Sequence, residues 1–274
     1  MVQSNLIYKQ VADSIKNSSF YPVAKTIYKN TLNRQYLVQR RKMMEFFSAF
    51  VKPGDLVFDI GANVGDFTDV FLRLGARVYA VEANPFCIRQ FKALYGNHAN
   101  ATLIDKAIGS AEGKGLMYLG EQGMHNVSTL SKAWKDAALN IQGLRRAGWN
   151  ETVEVDVITI DYLIEKYGVP AFCKIDVEGS EYEVLQRLEQ PIACLSFEYV
   201  SWQIEPTLQC IEHLCNLGNY QFNMTINRTS KDTDIGEFEL KQWLDRDQAL
   251  ELVDRKLRDA EMAGDLYAKL ISPS

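Results

Sequence analysis

Residues 56–75, "LVFDIGANVGDFTDVFLRLG", decide the fold. Leu56 to Ile60 form an apolar run broken by one acid, the pattern of a strand buried on both faces. Beyond the turn, Phe67, Val70, Phe71 and Leu74 fall at helical spacing, and Gly75 ends the stripe. Between strand and helix, Gly61, Asn63 and Gly65 make a turn of small residues. A strand, such a turn and a helix N-terminus together present backbone N–H groups to a ligand.

The alternation continues along the chain. "RVYAVEANP" (77–85) predicts a strand ending at Glu82, with Asn84 capping the next helix and Pro85 opening it. Further strands are expected in "ATLIDKAIG" (101–109), "GLMYL" (115–119), "AFCKIDVEG" (171–179), "ACLSFEYV" (193–200), "YQFNMTIN" (220–227) and "LYAKLI" (266–271). "VEVDVITI" (153–160) alternates cleanly and reads as an added strand. "SEYEVLQRL" opens with Ser180 and Glu183 in capping-box spacing, "TLQCIEHLCNLG" is the next helix, and a charged helix is expected over 248–262. Short strands alternating with helices imply an α/β fold, a mostly parallel sheet with helices on both faces, and the terminal strand after the last helix is compatible with a late antiparallel hairpin.

Upstream, "QYLVQRRKMMEFFSAFV" (35–51) has helical period, with Arg40, Arg41 and Lys42 as a solvated face, and "KPGD" breaks it. The polar stretch 120–150 is too long for an ordinary connection and reads as an insertion or lid.

Composition bounds the function. The chain has 274 residues, 47% apolar, with 30 Lys and Arg against 35 Asp and Glu, a net charge of -5. That suits one globular domain with an appendage and disfavours a nucleic-acid partner. Five cysteines without C-x-x-C spacing read as apolar packers in a reducing compartment, and three scattered histidines make no metal motif. No apolar run approaches the roughly 20 residues that span a bilayer. The N-terminus has no signal-like apolar block, so a cytoplasmic protein is expected.

A dinucleotide fingerprint needs G-x-G-x-x-G, whereas this turn reads G-x-N-x-G with Asp59 inside the strand end. That fits a pyrophosphate poorly and argues against a nicotinamide dehydrogenase. A phosphate-free cofactor with an amino acid moiety fits better. Asp59 is then expected to meet an ammonium directly or through water, and Gly61 and Gly65 to let backbone come close. Glu82 is placed to accept from both hydroxyls of a ribose. Asp105, or the backbone of Lys106 and Ala107, is placed to meet an adenine.

"VFDIGANVGDFT", "YAVEANP", "KAIG", "STL", "VDVITIDYL" and "KIDVEGSEYEVL" resemble the successive motifs of FkbM-type S-adenosylmethionine-dependent methyltransferases, from about Gly54 to Val200. The resemblance implies a class I methyltransferase (Rossmann-like) sheet of seven strands over residues 53–274, with residues 1–52 a helical extension or cap. It implies S-adenosylmethionine as cofactor and S-adenosylhomocysteine as product. It implies transfer to oxygen on a small molecule, a sugar, glycoconjugate or natural product. Carried onto this chain, the cofactor residues are Asp59, Gly61, Asn63, Gly65, Phe67, Thr68, Glu82, Ala83, Asn84, Asp105, Lys106, Ala107 and Asp176.

For the chemistry, Lys174, Asp176 and Glu178 point to one side of their strand by period 2. Asp176 at the strand mouth is the first candidate for the base, Glu178 the second, and His125 in the insertion a third. Glu198 ends the next strand on the same crevice, and with Ser128, Thr129 and Lys174 it is expected to bind the acceptor. Trp134, Trp149 and Trp202 either stack on an acceptor or pack the lid. Asp176, Glu178 and Glu198 could gather around Mg²⁺, but acceptor binding and helix capping explain them equally, and no metal is expected. A module that binds the cofactor without transfer is the competing reading. The N-terminal helices either cover the site or pair two subunits as a homodimer.

Overall fold

The computed structural model describes residues 33–121, 124–226, 237–257 and 262–271. Ten strands lie in these stretches: β1 Leu56–Ile60, β2 Arg77–Val81, β3 Ala101–Ile104, β4 Ala107–Ile108, β5 Gly113–Leu119, β6 Glu151–Ile158, β7 Phe172–Ile175, β8 Cys194–Val200, β9 Tyr220–Met224 and β10 Ala263–Leu270. Seven form the main sheet in the order β3-β2-β1-β7-β8-β10-β9. All its pairs are parallel except those of β10, which runs antiparallel between β8 and β9. This is the seven-stranded, mostly parallel sheet expected of a class I methyltransferase.

The two faces of β1 follow its sequence period. Phe58 and Ile60 enter the larger core with the helices Ile160–Tyr167 and Ile204–Leu217, while Val57 packs under the helices Arg34–Phe47 and Asp66–Arg73. On this second side, Phe46, Phe47, Phe50, Phe71, Phe172 and Tyr267 interlock mostly edge to face. The helical expectation for the segment before "KPGD" holds from Arg34, and the part before Asn33 lies outside the described residues.

Three readings are corrected. "ATLIDKAIG" is two strands: β3 ends at Ile104, the chain turns at Asp105 and Lys106, and β4 leaves the main sheet. It joins β5 and β6 in a separate three-stranded sheet, so "VEVDVITI" is added to a second sheet and not to the first. The Ser180–Glu183 capping box does not form. Ser180 makes no side-chain cap, and Glu181 reaches back instead to accept the N–H groups of Val177 and Gly179 at 3.0 Å each. The helix expected at 248–262 is Arg246–Leu252, continued by a π turn at Val253–Leu257.

Candidate active site

A cavity of about 370 Å³ opens where β1, β2 and β7 end, the position where parallel sheets bind ligands. Gly61 and Asn63 take left-handed backbone at φ 78° and 52°. A side chain on Gly61 would place its Cβ 1.7 Å from the Asp176 carbonyl oxygen, so this glycine exists to let two strand ends meet. Gly65 serves similarly against Tyr95 and Phe91. Both close approaches are within the protein.

Glu82 forms the wall beside this turn. Its Oε2 accepts the Asn63 N–H at 2.7 Å and its Oε1 the Asn84 N–H at 2.6 Å. Burial raises its pKa, against the pull of these backbone donors. Asn84 caps the following helix through Phe86 N–H and ties it to the lid by donating to Ser128 Oγ at 2.9 Å. Ala83, Ala107 and Met117 close this end, so the second sheet supplies one wall of the cavity.

The opposite end is acidic. On the face shared by Val57, Phe172 and Tyr267, the next positions along the strands are polar: Asp59, Lys174, Ser196, Glu198 and Asp265. Asp59 stands opposite Lys174 in the β1–β7 register, and Glu198 opposite Asp265 across β8–β10. Lys174, 2% exposed, donates to Asp176 Oδ2 at 2.6 Å and lies 4.3 Å from the Phe67 ring centroid. Burial alone would lower the lysine's pKa, but Asp176, Asp265 and Asp59 outweigh it and raise it. Burial and the neighbouring Asp176 push Glu178 well up, and burial and Glu178 do the same to Glu198. Asp265 is pushed up to about 6 by burial, against the pull of Lys174.

The lid packs over these acids. Trp134 and Trp149 meet edge to face at 5.8 Å, and Trp149 Nε1 donates to the Val127 carbonyl at 2.8 Å. Both indoles are buried, which favours the lid-packing reading over a stacking platform. Thr129 Oγ1 donates to the Glu178 carbonyl at 2.7 Å, and Glu178 itself is held at φ 56°. His125 stacks on Phe86 at 3.8 Å, and burial lowers its pKa, leaving a neutral ring at pH 7.

The cavity brings together twelve of the expected residues: Gly61, Asn63, Phe67, Glu82, Ala83, Lys106, Ala107, His125, Ser128, Asp176, Glu178 and Glu198. Others stand behind its wall. Asp59 is buried and its Oδ2 accepts from Thr68 Oγ1 at 2.5 Å, while its Oδ1 has no partner among the described residues. Asp105 turns outward to Lys92 at 3.2 Å, because the chain bends there between two sheets. Gly65, Asn84, Thr129 and Lys174 shape the turn, the lid and the acids without lining the cavity. Asp265 lines it and was missed, since nothing in "AGDLYAKL" says that its strand inserts beside β8.

Residues 59–223 match the family model described as the methyltransferase FkbM domain. A curated relative, the 31-O-demethyl-FK506 methyltransferase FkbM of Streptomyces tacrolimicus, is 30% identical over 164 residues, 51% of this chain. The match spans 61% of that relative's length. Among solved structures, the precorrin-6y C5,15-methyltransferase of Geobacter metallireducens GS-15 superposes with a TM-score of 0.40 and 13% identity, covering 83% of this chain and 87% of that one. Aeropyrum pernix fibrillarin, in complex with natively bound S-adenosyl-L-methionine, gives 0.38 and 13%, covering 80% and 68%.

Proposed function

The chain belongs to the FkbM methyltransferase family, and from that premise we propose that it moves the methyl group of S-adenosylmethionine to a hydroxyl oxygen of a small, carbohydrate-containing acceptor. Glu82 carries the cofactor half of this reading. A carboxylate has about four acceptor positions, and the backbone of Asn63 and Asn84 takes one on each oxygen. Glu82 lines the cavity, and its remaining acceptor capacity is assigned to the hydroxyls of a ribose. The adenine then lies toward Lys106, Ala107 and Met117, and the sulfonium toward Asp176.

Transfer is an in-line displacement. A lone pair of the acceptor oxygen forms the O–CH₃ bond, the S–CH₃ pair returns to sulfur, and the hydroxyl proton leaves. Asp176 is a poorer acceptor for that proton than its position suggests, because Lys174 holds its Oδ2. The side-chain carboxylates of Glu178 and Glu198 receive no hydrogen bond from described residues and line the same space. They are therefore the groups set to engage acceptor hydroxyls. His125, stacked on Phe86, contributes a wall of the cavity. The Streptomyces relative is named for an oxygen acceptor, which supports the choice of oxygen.

Calorimetry with S-adenosylhomocysteine, with NAD as control, tests the cofactor half. Micromolar binding of the nucleoside that Glu82→Ala abolishes is the expected result. Preference for NAD, or binding indifferent to Glu82, would overturn it.

A further inference from the structure

Four carboxylates converge where β7, β8 and β10 open onto the cavity. One oxygen from each of Asp176, Glu178 and Glu198 lies within 4.8 Å of the other two. Two features outside this spacing point to a missing positive partner. Glu198 Oε2 is enclosed and accepts no hydrogen bond. Asp265, only 5% exposed, opens onto the same cavity directly opposite Glu198 and makes no side-chain hydrogen bond or ion pair among the described residues.

Like charges directly opposite across an antiparallel pair oppose folding. The pairing of Glu198 with Asp265 is relieved when a carboxyl holds a proton, toward which burial pushes both, or when a cation binds between them. Lys174 pulls on Asp265 from a distance, but its ammonium is bonded to Asp176, and Glu198 Oε2 is left without a donor. Oxygen ligands on opposite sides of Mg²⁺ are about 4.2 Å apart and around Ca²⁺ about 5 Å apart. Three oxygens within 4.8 Å of one another are close enough to share one ion of this class.

We propose that Asp176, Glu178 and Glu198, backed by Asp265, bind one hard divalent cation of the Mg²⁺, Mn²⁺ or Ca²⁺ class at the acceptor end of the cavity. This reverses the metal-free expectation drawn from the sequence. It refines the acceptor half of the proposed function, because a cation there would hold a hydroxyl oxygen and ease its deprotonation. It stands without the cofactor half. The cation, rather than an acceptor's ammonium group, is favoured because three carboxylates from two elements converge on one point.

The full chain is titrated with Mn²⁺, reading free Mn²⁺ by electron paramagnetic resonance, with and without S-adenosylhomocysteine. One Mn²⁺ per chain with a dissociation constant below about 10⁻⁴ M, displaced by Mg²⁺, is expected. Glu178→Gln and Glu198→Gln should each weaken it at least tenfold, while Asp156→Asn, an exposed acid on the second sheet, leaves it unchanged. No saturable binding by the wild-type chain overturns the proposal, whatever the variants do. Binding that survives both substitutions overturns it as well. A chain that binds S-adenosylhomocysteine but not Mn²⁺ refutes the cation alone, and the converse refutes the cofactor reading alone.

Discussion

Replacing Glu82 by Gln changes one atom and separates two contributions. The carboxylate gives an oxygen to the Asn63 N–H and another to the Asn84 N–H. A glutamine keeps one oxygen, and its NH₂ must face the second backbone N–H, donor against donor. Leaving one buried donor unmade costs about 1–3 kcal/mol. Against that, burial already penalises the charge on Glu82, and a neutral amide removes the penalty. The loss of stability therefore belongs at the low end, near 1 kcal/mol, or roughly 2–4 °C in melting temperature.

Cofactor affinity has no such offset. The ribose loses one charge-assisted hydrogen bond, about 1.5–3 kcal/mol, which is roughly a 10- to 150-fold rise in Kd. Calorimetry with S-adenosylhomocysteine and with its 2′-deoxy analogue reads this directly. The wild-type preference for the ribose form should collapse in Glu82→Gln. A change in Kd below threefold, or an equal loss for both nucleosides, would sink the assignment of Glu82 to the ribose.

Three further outcomes follow from the geometry. Gly179→Ala puts a Cβ 2.2 Å from the buried Trp134 ring at φ 92°, so the lid must lift. A red-shifted tryptophan emission and a lower melting temperature are expected, and an unchanged spectrum would show that the lid is not seated there. Glu181 is pushed up to about 7 by burial, against the pull of the backbone N–H groups it accepts. Its contribution is fully present below its ordinary 4.5 and is lost as pH rises through about 7, on the order of 3 kcal/mol. Melting temperature should fall over that window and fall less in Glu181→Gln; parallel curves for the two proteins would refute the assignment. Cys87, Cys173, Cys194 and Cys210 are buried and Cys215 half-buried, so a thiol reagent should modify Cys215 first and the other four only on unfolding.

The site's outline was legible where a strand's carboxyl end coincides with a polar residue. Glu82, Asp176 and Glu198 all sit at such ends, and parallel strands deliver them to one crevice whatever their side chains do next. Orientation was less legible. Asp59 and Lys174 were read as ligand contacts because they lie near the same ends, yet their period turns both into the sheet face beneath the turn, where Thr68 and Asp176 engage them. Asp105 fails for a different reason. "ATLIDKAIG" has the length of one strand, and only the second sheet, assembled from β4, β5 and β6, dictates the bend that turns its side chain to solvent. Asp265 was out of reach, since its role depends on β10 entering between β8 and β9.

Lys174 links these observations. Replacing a buried ion pair by apolar residues is often neutral or favourable, so stability alone is a weak reason to keep an ammonium between Cys173 and Ile175. Its neighbours suggest the stronger reason. Asp59, which braces the helix after the glycine turn through Thr68, lies on one side of it, and Asp176 and Asp265 of the acidic end lie on the other. Removing the lysine would leave these acids without a counter-charge, and unpairing a buried ion costs about 3–5 kcal/mol. One cation thus permits two acidic groups to share a sheet face, the first committed to the turn and the second left open to the cavity. Lys174 bonds only Asp176 among the acids at this end, and the carboxylates of Glu178, Glu198 and Asp265 accept no hydrogen bond from described residues. The carboxylates without a donor therefore lie together at one end of the cavity, beside the Asp176 that Lys174 holds.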